Sequence, residues 1–146
     1  MESEITLRIT LIKPTPGVVF GLQKGSGNNY ETVQKQIPES NDLSFEFTIT
    51  VKGDPSKDKL PKFTGAFVQG PGDGKFVYID IGKSAGQFTS EWSRRLKIPL
   101  TGITWSAIDS INTDAILQAT VPGTGKDVGP NCATVKPFEG WHVKPR

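Results

Sequence analysis

The stretch "DLSFEFTITVK" (42–52) decides the fold. Leu43, Phe45, Phe47, Ile49 and Val51 alternate with Ser44, Glu46, Thr48, Thr50 and Lys52. Strict period two sends one set to each face of an extended chain, so this segment reads as a half-buried strand. "EITLRITLI" (4–12) repeats the pattern, with Ile5, Leu7, Ile9 and Leu11 against Glu4, Thr6, Arg8 and Thr10.

The same reading extends outward. "KPTPG" breaks the first strand, "VVFGLQ" (18–23) forms another, and "KGSGNN" is a loop. "YETVQKQI" (30–37) fits a helical face through Tyr30, Val33 and Ile37, or a strand; its Thr and Val and its flanking Asn and Pro favour a strand. "GDPSKDKLPK" (53–62) is a charged, proline-bearing loop. "TGAFVQ" and "KFVYIDI" flank "GPGDG" (70–74), which reads as a hairpin over 64–81. The second arm has Phe76 and Tyr78 on one face and Val77, Ile79 and Ile81 on the other, so it belongs centrally or against packing on each side. Asp80 shares the Phe76/Tyr78 face.

"GKSAGQFTSEW" (82–92) is a long loop and "RRLKIPL" returns to strand. In "TGITWSAIDSIN" (101–112), Thr104 is a candidate N-cap, and Trp105, Ile108 and Ile111 predict a short helix near 104–111. "DAILQATVPG" (114–123) alternates again, "GTGKDVGPN" is loop, and "CATV" and "GWHV" are weak terminal strands. The strands do not alternate with helices, which excludes a doubly wound α/β layout. The expectation is a mainly β chain: one domain over 1–146, an antiparallel β-sandwich or partly open barrel of about eight strands with one short helix.

Composition agrees. The 146 residues are enough for one domain with its own core, and 35% hydrophobic content is too high for a disordered chain. Sixteen Gly and eleven Pro, spread between apolar runs, supply many turns. A net charge of +2 gives no strong field for nucleic acid or an anionic membrane. No signal peptide or transmembrane run is visible. One Cys cannot form an intramolecular disulfide, which points to a reducing cytoplasm.

Familiar chemical motifs fail on spacing. A P-loop ending at "GKF" (74–76) needs Gly where Gln69 stands, and Phe76 replaces Ser/Thr. "GKD" (125–127) would need Gly at Thr120, and "GSGNNY" (25–30) ends on Tyr30. Turn chemistry accounts for all three. His142 is the sole histidine and Cys132 the sole cysteine, so a catalytic pair requires the terminal strands to meet. One imidazole and one thiol do not make a transition-metal site. "DPSKDK" carries two Lys and lacks a calcium-loop pattern. No metal and no cofactor is expected, and no catalytic residue is assigned.

The densest chemistry is "EWSRRLKIPL" (91–100). Alternation puts Arg95 and Lys97 opposite Leu96, Ile98 and Leu100, leaving Arg94 on the apolar side. A carboxylate on an apolar face needs a cationic or multi-donor partner, and Asp80 is expected to pair with Arg94. The plain reading then makes Arg95 and Lys97 a solvated face. The functional reading has Gln69, Tyr78, Asp80, Trp92, Arg94, Arg95 and Lys97 converge as a site for an anionic or planar ligand.

The residues "FVQGPGDGKFVYIDIG", "WSRRLKIPL" and "CATV" resemble a family of small bacterial proteins known as domain of unknown function 5990. The likeness runs from the "EITLRI" strand to the C-terminal "GW". It implies a bacterial, cytoplasmic protein and supplies no activity, cofactor or partner. The expected role is a non-catalytic module binding an unknown small molecule or protein, as monomer or homodimer, without nucleic acid or membrane. The alternatives are a hydrolase or isomerase using Asp80 with Arg94, or Cys132, and a structural protein pairing through a sheet edge.

Overall fold

The computed structural model describes residues 2–26, 29–39, 41–70, 75–82, 94–111, 114–122, 133–134 and 138–146, with the main chain alone at Ser26, Arg94, Ala133 and Thr134. Its elements are β1 (Glu2–Ile12), β2 (Phe20–Ser26), β3 (Asn29–Gln36), β4 (Leu43–Lys52), β5 (Lys62–Thr64), β6 (Phe76–Ile81), β7 (Arg94–Pro99), α1 (Trp105–Asp109), β8 (Ala115–Pro122), β9 (Ala133–Thr134) and β10 (His142–Pro145). They form two five-stranded sheets. The first runs β10-β8-β1-β4-β5 and the second β3-β2-β6-β7-β9. The sheets do not join into a barrel, so the sandwich alternative holds.

The alternating residues of β1 and β4 build the centre of the first sheet. The two strands pair antiparallel from Glu2↔Lys52 to Leu11↔Leu43. Their apolar sets are buried, and they meet Leu22, Val77, Ile79, Ile81, Leu96 and Ile98 from the second sheet in one core. Two pairings depart from the all-antiparallel expectation. β8 lies parallel to β1, Leu7↔Leu117 to Ile12↔Pro122, and β9 lies parallel to β7. A parallel neighbour needs a long crossover. The chain has one in each case, because β1 and β8 are remote in sequence and α1 and β8 intervene between β7 and β9.

The expected hairpin over 64–81 is corrected. Residues 64–69 do not form the partner strand of β6. Apart from the isolated Gln69↔Phe76 bridge, β6 is flanked by β2 and β7, while Lys62–Thr64 pairs with β4. Gly65, at φ 134°, takes a left-handed conformation that carries the chain out of extended geometry. The central place of β6 agrees with its two-sided apolar character. The helix forms as expected: the Thr104 hydroxyl accepts from the Ala107 N–H at 3.1 Å.

Candidate functional site

The second sheet has an inner face of Val77, Ile79, Ile81, Leu96 and Ile98, all buried. Its outer face carries the polar and aromatic alternates of β6 and β7. Register sets Asp80 beside Arg95, Tyr78 beside Lys97 and Phe76 beside Pro99. Cross-strand neighbours on one face stand close enough for side chains to touch, and these do. Arg95 Nε donates to Asp80 Oδ1 at 2.7 Å. The Arg95 guanidinium lies 5.1 Å from the Tyr78 ring centroid, and Lys97 Nζ lies 4.4 Å from that of Phe76. Phe76 and Tyr78 stack with centroids 6.5 Å apart at 14°.

The partner expected for Asp80 is therefore corrected from Arg94 to Arg95. Arg94 pairs along the main chain with Ile81, one register position away and on the opposite parity. The expectation failed because both faces of β6 are apolar in sequence, so parity alone did not tell which face of the next strand meets Asp80; the register pairs it with Arg95. The alternation itself was sound: Asp80, Tyr78, Arg95 and Lys97 share one face.

Asp80 is fully buried even so. On its far side Gly21 of β2 stands opposite it. Beyond that, Thr32 of β3 donates its hydroxyl to Asp80 Oδ2 at 2.9 Å. Thr32 is two strands from Asp80, about 9–10 Å of sheet. Thr32 stands opposite Gln23 of β2, not Gly21, so the bond reaches Asp80 diagonally across β2. Gln23 adds a further side-chain hydrogen bond. Burial raises the Asp80 carboxyl above its ordinary 3.8; Arg95, Thr32 and Gln23 each pull it back, and the net direction is up.

Gln69 is buried and bridges Phe76 through the main chain, and its Nε2 donates to the Ala66 carbonyl at 3.3 Å. Trp92 and Cys132 lie outside the described residues. The required meeting of terminal strands does not occur: β9, which follows Cys132, adds to the second sheet, whereas His142 begins β10 in the first. His142 Nε2 instead contacts the Glu139 carbonyl at 3.0 Å. Sequence reasoning missed Gly21, Gln23 and Thr32. No period or motif marks these three, because which residues of β2 and β3 reach Asp80 depends on register. Among the described residues no group of three His, Cys, Asp or Glu could hold a metal ion, and no helix is long and apolar enough to cross a membrane.

Fold and site together define a two-sheet β-sandwich whose second sheet carries a row of cations and aromatic rings anchored on a buried carboxylate. The chain belongs to the family described as "Family of unknown function (DUF5990)", whose model matches residues 5–144. No curated protein and no solved structure matches it.

Proposed function

We propose that this protein is a non-catalytic binding module that takes a small planar anion on the outer face of the second sheet, against Tyr78, Arg95 and Lys97. One observation carries the reading: Arg95 is held at its Nε by buried Asp80 while its side chain stays 28% exposed. The terminal nitrogens hold the rest of the guanidinium's donors, in the fork geometry that suits a carboxylate or phosphate. The rings of Tyr78 and Phe76 offer a stacking surface beside the cations. Holding an Arg in place before binding removes much of the ordering cost. A cytoplasmic setting fits the single cysteine.

The test is a thermal-shift titration with planar anions, using benzoate, isophthalate and adenosine monophosphate as probes. The expected result is a saturable rise in melting temperature with at least one of them, reduced in Lys97→Gln. No shift with any of them, or a shift that Lys97→Gln leaves unchanged, overturns the proposal.

A further inference from the structure

A separate cleft of about 550 Å³ opens beside β5, lined by Leu60, Pro61, Lys62, Phe63, Thr64, Lys75, Thr101 and Ile103. It shares no residue with the Tyr78/Arg95/Lys97 face. Its size lies within the roughly 300–1,000 Å³ of small-molecule sites. Phe63 and Ile103 are part of the buried core, whereas Leu60 is 48% exposed, so apolar surface runs from the floor to the rim.

The walls are fixed by the main chain. Phe63 is positioned by pairing with Val51 of β4. The Leu100 N–H donates to the Lys75 carbonyl and the Ile103 N–H to the Leu100 carbonyl, both at 3.1 Å. These bonds tie the Lys75 wall to the turn that presents Thr101 and Ile103.

Charge selects the occupant. Among the described residues the lining has two cations and no acid. Among the described residues neither lysine has a carboxylate within ion-pair distance. Among the described residues the Lys62 side chain makes no hydrogen bond, and the half-buried Lys75 donates its Nζ to the neutral Gly70 carbonyl at 3.3 Å. A half-buried ammonium with only a neutral acceptor is under-compensated, and an incoming anion supplies the missing charge. The Thr64 and Thr101 hydroxyls add donors near the same rim.

We infer that this cleft binds an amphipathic monoanion, with its alkyl or aryl body on Leu60, Pro61, Phe63 and Ile103 and its carboxylate or phosphate between Lys62 and Lys75. Calorimetric titration with octanoate tests it on the full chain, with octylamine as the probe of reversed charge. The expected result is saturable one-to-one binding of octanoate, none of octylamine, and at least tenfold weaker octanoate binding in Lys62→Gln/Lys75→Gln. Thr101→Trp, which changes an exposed position and fills the cleft, is expected to abolish binding while keeping the parent's circular dichroism. Octanoate giving no saturable heat on the folded parent overturns the inference. So does unchanged affinity in the folded double lysine variant, or octylamine binding as well as octanoate.

Discussion

Asp80 and Arg95 are unequal partners. Asp80 is wholly buried, whereas Arg95 is 28% exposed and keeps a route to water. Removing the cation therefore strands a buried carboxylate, while removing the carboxylate leaves a cation that water can solvate. Arg95→Met is expected to cost about 3–5 kcal/mol at pH 7, the usual scale for breaking a buried pair from one side. Asp80→Asn keeps the shape and an oxygen for the Thr32 hydroxyl, and is expected to stay within about 1 kcal/mol of the parent. Urea denaturation followed by circular dichroism reads both; equal losses in the two variants would show that the pair is not asymmetric.

The same residue has a pH signature. Its folded carboxyl holds a proton above 3.8, where the unfolded one has released it. The folded state then binds more protons than the unfolded, so this group's contribution falls as pH rises from 3.8 through the raised folded value. Asp54 acts in the opposite sense: hydrogen bonds from the Ser56 hydroxyl and N–H lower its carboxyl, so its share is lost as pH falls. Comparing the parent with Asp80→Asn isolates Asp80. The parent's stability relative to the variant should decline as pH is raised from about 4 towards neutrality. A flat difference across that range counts against the raised carboxyl.

At the scale of the element, the informative case is the edge of β4. Short β5 covers it only at Thr50, Val51 and Lys52, so among the described residues its first half has no strand beside it. Two side chains of β3, in the other sheet, fill the gap. Gln34 Nε2 donates to the Glu46 carbonyl at 2.7 Å and Gln36 Nε2 to the Ser44 carbonyl at 3.0 Å. An irregularity in β2–β3 pairing lies beside Gln34, which takes φ 54° there, a left-handed conformation costly for branched side chains. Gln34→Val should lose both the bond and the backbone preference, costing about 1–3 kcal/mol. It should also bare a strand edge, so concentration-dependent association in sedimentation velocity is the second expected readout. A variant that is as stable and as monodisperse as the parent would remove this role. Little of it was legible beforehand. "YETVQKQI" was open between helix and strand because the irregularity interrupts its period, and β5 was hidden because Lys62–Thr64 is too short for alternation to register. By contrast β1, β4 and α1 were legible from period and capping, since packing on one side imposes the pattern directly, and β6 from its apolar character on both faces. The site was legible as a face but not as a pairing: alternation sorts side chains by parity, and only register tells which residue stands beside Asp80.

At the scale of the whole molecule, Trp141 links the two sheets near the C-terminal end. Trp141 precedes β10 in the first sheet, and its Nε1 donates to the carbonyl of Pro99, at the end of β7 in the second, at 2.9 Å. The indole is 8% exposed, packs in the core and meets Phe138 edge-on with centroids 6.4 Å apart. Burial supplies most of its contribution, and the hydrogen bond fixes the position of a group that would otherwise be unsatisfied. Trp141→Ala should cost about 3–5 kcal/mol by removing a large buried side chain. Trp141→Phe keeps most of the apolar area and loses the donor, leaving the Pro99 carbonyl without this partner, so about 1–2 kcal/mol is expected. The order matters more than the sizes. If the bond rather than the packing held the sheets together, Phe and Ala would be equally damaging. Both variants should also unfold in one transition, because strands from both sheets share one core and neither can lose its inner face alone. Thermal melts followed by far-ultraviolet circular dichroism and by fluorescence check this together. Coincident transitions with Ala well below Phe are the expected result, and separate transitions for the two probes would mean that the sheets come apart independently once Trp141 is gone.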